Sequence, residues 1–90
     1  MDRTLRYHPL FDGDVCEAAD WYDRRSPGWG NVFLDVVRKC VAEIVRTPEF
    51  CGRSSSGCRY RRIPRFPYVI LFDVTDEELL MIGVLHTARS

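Results

Sequence analysis

The feature that most constrains this chain is one unbroken apolar stripe between residues 33 and 44. Phe33, Val36, Val37, Cys40, Val41 and Ile44 recur at helical spacing, while Asp35, Arg38, Lys39 and Glu43 fall elsewhere on the wheel. The stripe predicts an amphipathic helix that ends before Thr47-Pro48, because proline disfavours helical backbone in the residue before it. Upstream, Val15, Ala18, Ala19 and Tyr22 predict a first helix reaching about Arg25, with Asp14 and Glu17 as a capping-box-like start. Ser26-Pro27-Gly28 breaks it, and Ser26 and Pro27 can serve as cap and first residue of the next helix. Two helices joined this tightly form an antiparallel hairpin, which must bury its stripe against something else.

The rest of the chain supplies a sheet. Thr4 to His8, ending at Pro9, reads as an edge strand. Three more strands are predicted over Arg59–Ile63, Phe66–Val74 and Leu79–His86, the last two joined by an acidic turn at Asp76-Glu77-Glu78. Glu49 to Gly57, with two glycines and three serines, reads as a polar loop. The predicted fold class is α+β: an N-terminal strand, a helical hairpin and a three-stranded antiparallel meander (βααβββ), with the helices on one sheet face. Ninety residues, 46% of them hydrophobic, suit one globular domain spanning 1–90. Both sheet faces read as apolar, with Val69, Leu71, Met81 and Leu85 assigned to the face the helices leave open. A partner is expected to cover that face.

Charge is balanced globally and segregated locally. Thirteen basic and thirteen acidic residues cancel, so any anion-binding character must be local. Residues 53–65 hold five arginines and no acid, whereas residues 73–78 hold four acids and no base. Twelve of the thirteen basic residues are arginine, which favours forked, bidentate contacts. No apolar run approaches the roughly 20 residues of a membrane span, and the N-terminus carries no signal-peptide core. The chain is expected in the cytoplasm. There Cys16, Cys40, Cys51 and Cys58 are expected as free thiols. A Cys51–Cys58 disulfide is possible in spacing, and a zinc site is disfavoured for want of a tetrahedral ligand set.

Chemistry concentrates in CRYRRIPRFPYVILFDV, residues 58–74. Arg59, Arg61, Arg62 and Arg65 lie within seven residues and lead into a buried strand. Strand alternation puts Arg59, Arg61 and Ile63 on one face, and Tyr60, Arg62 and Pro64 on the other. With Tyr60, Phe66 and Tyr68 nearby, the cluster reads as a surface for RNA or a protein partner. Alternatively it is a solvated face paired with Asp73, Asp76, Glu77 and Glu78. His86 is the best candidate for proton transfer, and Arg89, three residues on, can stabilise a phosphate; equally, His86 merely ends the last strand. His8 and the rings Trp21, Tyr22 and Trp29 read as structural, with Trp29 a minority candidate for partner contact.

Taken in order, Y-H-P at 7–9, D-W-Y at 20–22, P-G-W-G-N-V-F-L at 27–34, T-P at 47–48, R-R-I-P-R-F-P-Y at 61–68 and H-T-A-R at 86–89 resemble the RelE/ParE superfamily of bacterial toxins. The resemblance runs from about Tyr7 to Arg89. It implies the toxin half of a type II toxin–antitoxin module, in a hetero-oligomer with an antitoxin whose C-terminal segment wraps it. Such toxins act by cleaving mRNA on the ribosome or by inhibiting DNA gyrase, and neither route needs a cofactor. No metal site is expected.

The resemblance also frames the choice between routes. RelE-like nucleases rely on lysines and a tyrosine near the C-terminus. Here the only lysine is Lys39, and no tyrosine follows Tyr68. Arginine does not carry protons near neutral pH, its pKa lying above about 12. Nuclease chemistry would fall to His86 with Arg89 and Arg65, or to Tyr60 or Tyr68. The reading therefore leans to a ParE-like gyrase inhibitor that uses Arg59, Arg61, Arg62, Arg65, Tyr60 and Tyr68 for target or antitoxin contact. A ribosome-dependent endonuclease and an inactive antitoxin-binding member are the alternatives.

Overall fold

A computed structural model describes residues 3–53 and 57–88. The order is β1 (Thr4–Tyr7), α1 (Pro9–Arg25), α2 (Trp29–Arg46), a single 3-10 turn (Pro48–Phe50), β2 (Gly52–Arg53), β3 (Arg59–Arg62), β4 (Tyr68–Val74) and β5 (Glu78–His86). The strands form one sheet in the order β1-β5-β4-β3-β2, with β1 parallel to β5 and the remaining pairs antiparallel. The expected α+β architecture is present. The two-residue β2 is an addition, paired to β3 through Gly52 and Arg53 in the segment read as a loop.

The helix starts differ from expectation. α1 begins at Pro9, and His8 is its cap: the His8 Nδ1 accepts from the Leu10 N–H at 3.1 Å. Pro9 occupies the first turn, where a missing N–H costs nothing. His8 is therefore structural, and its own N–H donates to the Met81 carbonyl at 2.8 Å, closing the β1–β5 pairing. Asp14 lies within the helix and does not cap it. α2 begins at Trp29, capped by Gly28 at φ 95°, where glycine escapes the Cβ clash. The side-chain cap comes from the other helix. Asp23 Oδ1 of α1 accepts from the N–H groups of Gly28 and Gly30, at 3.0 and 3.1 Å, so Ser26 is not needed. At the same place a Cβ on Gly30 would lie 2.8 Å from the Ala19 carbonyl oxygen, so glycine lets the helices close.

The helices cover one sheet face. Phe33 and Ile44 of α2 meet Ile70 and Phe72 of β4 and Met81 of β5, all with no exposed surface. Tyr22, Phe33, Phe66 and Tyr68 interlock as stacked and edge-on rings 4.9–6.3 Å apart at one end of this layer. Met81 is a correction to the sequence reading, which placed it on the open face. A bulge lets Leu71 pair with Gly83 but Phe72 with Met81, leaving Ile82 as the extra residue. The extra residue reverses the parity of β5, so Met81 turns inward while Leu85 stays outward. Trp21 and Trp29 also depart from expectation. Each is nearly half exposed, packing edge-on against Tyr22 and Phe66 respectively.

Candidate functional site

The four arginines do not form one cluster. β3 alternation works as expected: Arg59 and Arg61 turn toward α2 and the residues that follow it. Arg61 pairs with Glu43 of α2, and Arg59 donates to the Cys51 carbonyl at 3.3 Å. The Nε atoms of both are buried without a hydrogen-bond partner among the described residues. These two side chains hold the Cys51 segment and β3 onto α2. The acidic residues 73–78 are not their partners; Glu78 pairs instead with Arg6 across the β1–β5 register, at 2.7 Å. Arg62 is exposed on the opposite face, and Arg65 is exposed in the turn between β3 and β4 at φ 70°. Neither has an ion-pair partner among the described residues. Of these four, Arg62 and Arg65 are therefore the ones left exposed without an ion-pair partner among the described residues.

Burial also sorts the thiols near this junction. Cys40 lies in the core and Cys51 packs against it, and desolvation raises both thiol pKa values while Arg61 opposes the rise. Cys16 is exposed. Tyr60 lies across the sheet from Arg59 and Arg61, and its ring covers Gly52: a Cβ there would meet the ring at 2.7 Å. Tyr68, expected among the contact residues, is instead buried in the aromatic layer.

His86 pairs with Tyr68 across the β4–β5 ladder, and the two rings meet edge-on at 5.0 Å. Its Nδ1 accepts from the Ala88 N–H at 3.1 Å, so in the neutral ring the proton sits on Nε2. No hydrogen bond or ion pair among the described residues links His86 to Arg59, Arg61, Arg62 or Arg65. Arg89 lies outside the described residues. His86 lines a cleft of about 400 Å³ with Asp14, Glu17, Trp21, Tyr68 and Leu85. Asp14 had no role beyond capping in the sequence reading. In the fold its Oδ2 accepts from the Val84 N–H of β5 at 3.1 Å, and a Cβ on Gly83 would come within 2.9 Å of that oxygen.

A second concavity, about 580 Å³, is almost wholly apolar. Leu5 and Tyr7 of β1, Phe11 and Val15 of α1, and Leu34, Val41 and Val45 of α2 line it, with Arg38 and Arg46 among the lining residues. Leu5, Tyr7 and Val45 are each more than one-third exposed, unusual for aliphatic and aromatic side chains that converge on one groove. Sequence reasoning missed this surface, although a signal was there. Leu34, Val41 and Val45 recur at helical spacing beside the core stripe, making the apolar face of α2 wider than one sheet contact needs. Among the described residues no group of three or more His, Cys, Asp or Glu side chains is placed to hold a metal ion.

The fold thus sets a helical hairpin on one sheet face, an apolar groove at its edge, and two exposed arginines, Arg62 at the end of β3 and Arg65 in the turn that follows. The fold matches one in a solved structure described as a chromosomal ParDE TA system from P. aeruginosa, with a TM-score of 0.72 at 19% identity over 93% of this chain and 95% of that one. Among curated proteins no relative matches the sequence. The profile of the family described as "ParE toxin of type II toxin-antitoxin system, parDE" matches residues 5–90. The chain belongs to the ParE toxin family.

Proposed function

We propose that this chain is a growth-arresting toxin that acts by binding DNA gyrase and is held inactive by a cognate antitoxin. The observation that carries the choice of a binding mechanism over RNA cleavage is the dispersal of the candidate chemistry. Arg59 and Arg61 are committed to the Cys51 carbonyl and Glu43, Tyr68 is buried, and among the described residues no hydrogen bond or ion pair joins His86 to any of the four arginines. In-line cleavage of RNA requires a base, an acid and a phosphate-binding cation converging on one phosphodiester. Binding requires only an accessible complementary surface, which Arg62 and Arg65 supply. The antitoxin role rests on the apolar groove. An amphipathic helix laid there would cover Leu5, Tyr7 and Val45, and acidic residues on it would meet Arg38 and Arg46. No helix among the described residues is long and apolar enough to cross a membrane, which suits a cytoplasmic target.

The test is expression of the chain without an antitoxin, with supercoiling by purified gyrase and primer-extension mapping of cellular mRNA measured in parallel. Growth arrest with inhibited supercoiling and intact mRNA is expected. Codon-phased cuts that vanish in His86→Ala would transfer the assignment to a ribosome-dependent endonuclease. Normal growth would leave only the antitoxin-binding role.

A further inference from the structure

The cleft beside His86 lies on an unfinished sheet edge. β1 pairs only with Glu78–Met81 and ends at Tyr7, whereas β5 continues to His86. The hydrogen bonds of its neighbours fix which way the remaining backbone of β5 points. The Val84 N–H donates to Asp14 of α1 and not to β4, so Val84 belongs to a pair that does not hydrogen-bond across the β4–β5 ladder. His86, two residues on, repeats that orientation. Its partner Tyr68 directs its N–H and C=O toward Phe66 and Ile63, away from β5. The Thr87 N–H, of opposite parity, donates to Pro67 on the β4 side at 2.8 Å. The Val84 carbonyl and the His86 N–H therefore face outward, at the mouth of the cleft, where no strand lies among the described residues.

The cleft gives this edge a chemical preference. On the helix side of the sheet it presents the carboxylates of Asp14 and Glu17, the ring of Trp21, and the rings of Tyr68 and His86. Arg25, outside the cleft lining, stacks on the Trp21 indole at 4.1 Å. On the other face of the edge Leu85 is about half exposed beside its ladder partner Val69. A strand added here would place alternate side chains on these two faces: one into the acidic, aromatic cleft, and its neighbours over Leu85. Two carboxylates repel a phosphate chain, so the edge does not suit nucleic acid.

We propose that the outer edge of β5 at Val84–His86 is a docking site for an extended protein segment of alternating apolar and basic residues. The segment pairs with the Val84 carbonyl and the His86 N–H, and its arginine or lysine enters the cleft between Asp14, Glu17 and Trp21. This surface is separate from the apolar groove, shares no lining residue with it, and does not depend on which target the toxin arrests.

The test is titration of the ¹⁵N-labelled 90-residue chain with the blocked pentapeptide acetyl-Thr-Val-Arg-Val-Thr-amide, followed by amide shifts. Saturable shifts confined to residues 14–21 and 84–88 are expected. Replacing arginine in the peptide by citrulline, which keeps the shape and removes the charge, is expected to weaken binding about tenfold. Asp14→Asn keeps an oxygen for the Val84 N–H, and Glu17 is exposed, so Asp14→Asn/Glu17→Gln retains the fold and is expected to bind both peptides alike. Glu17→Lys alone is expected to reverse the preference, so that the same peptide with glutamate in place of arginine binds more tightly than the arginine peptide. Equal binding of the arginine and citrulline peptides by the unaltered chain, shifts elsewhere, or no saturation would overturn the proposal. So would edge shifts that appear without peptide and vanish on dilution, which would assign the edge to a second copy of the chain.

Discussion

Replacing Gly83 by alanine probes the junction where α1 meets the bulged strand. The added Cβ would lie 2.9 Å from Asp14 Oδ2, whereas ordinary contact begins at 3.4 Å. The carboxylate must retreat by about 0.5 Å, and its 3.1 Å bond to the Val84 N–H then passes beyond useful hydrogen-bond distance. A bond to a charged acceptor contributes about 1.5–3 kcal/mol when buried; Asp14 is only partly buried, so about 1–2 kcal/mol is lost. Alanine offsets about 0.5–1 kcal/mol of this by its smaller backbone entropy. The net cost is about 1 kcal/mol, or about 4–8 °C in melting temperature for a domain of this size. Asp14→Ala should itself cost about 1–2 kcal/mol by leaving the N–H without its acceptor. In that background the clash is gone, and Gly83→Ala should become neutral or stabilising by up to about 1 kcal/mol. Urea melts of the two single variants and the double variant measure the coupling. Strict additivity would refute the assigned contact, because it would mean that residue 83 and Asp14 do not sense one another.

The apolar groove predicts a separation of binding from stability. Leu5→Glu and Val45→Glu, both at exposed positions, should shift stability by only about 0.5 kcal/mol yet abolish co-elution with the antitoxin in size-exclusion chromatography. An intact complex would place the antitoxin elsewhere. Thiol alkylation at neutral pH should modify Cys16 first, Cys51 slowly and Cys40 only after unfolding, as peptide mass spectrometry would show. The same burial sets a pH dependence. Cys40 and Cys51 are raised by burial, and so is Tyr22 with help from Tyr68, so each contributes stability below its unfolded value and loses it as pH rises through the folded one. The melting temperature should accordingly decline above about pH 8.5, where unfolded thiols begin to ionise; a rise there would contradict the assignment.

What the sequence disclosed follows from how local each determinant is. The α2 stripe, its stop at Thr47-Pro48 and the β4–β5 hairpin are encoded within a few residues, and the structure has them where the pattern placed them. The α1 start was misread because a histidine cap followed by proline is a weaker signal than Asp14-Glu17, and because Asp14 serves a strand 70 residues away. Met81 changed faces because one bulge residue, Ile82, reverses strand parity, and nothing in a run of apolar residues marks where a bulge falls. The division of the arginines was half legible. Alternation separated Arg59 and Arg61 from Arg62, but only the packing of β3 against α2 shows that Glu43 takes up Arg61. The cleft and the groove each draw on segments distant in the chain, Asp14 with His86 and Leu5 with Val45; the wide apolar face of α2 marks one wall of the groove, but no linear pattern assembles either site.

Supercoiling by purified gyrase, measured against increasing amounts of the isolated chain, tests the central claim of a binding toxin most directly. The account predicts inhibition that saturates, survives His86→Ala unchanged, and weakens in Arg62→Ala/Arg65→Ala, where two exposed guanidiniums that make no ion pair among the described residues are removed. Full supercoiling at excess toxin, or inhibition lost in His86→Ala but untouched by removal of Arg62 and Arg65, would contradict it.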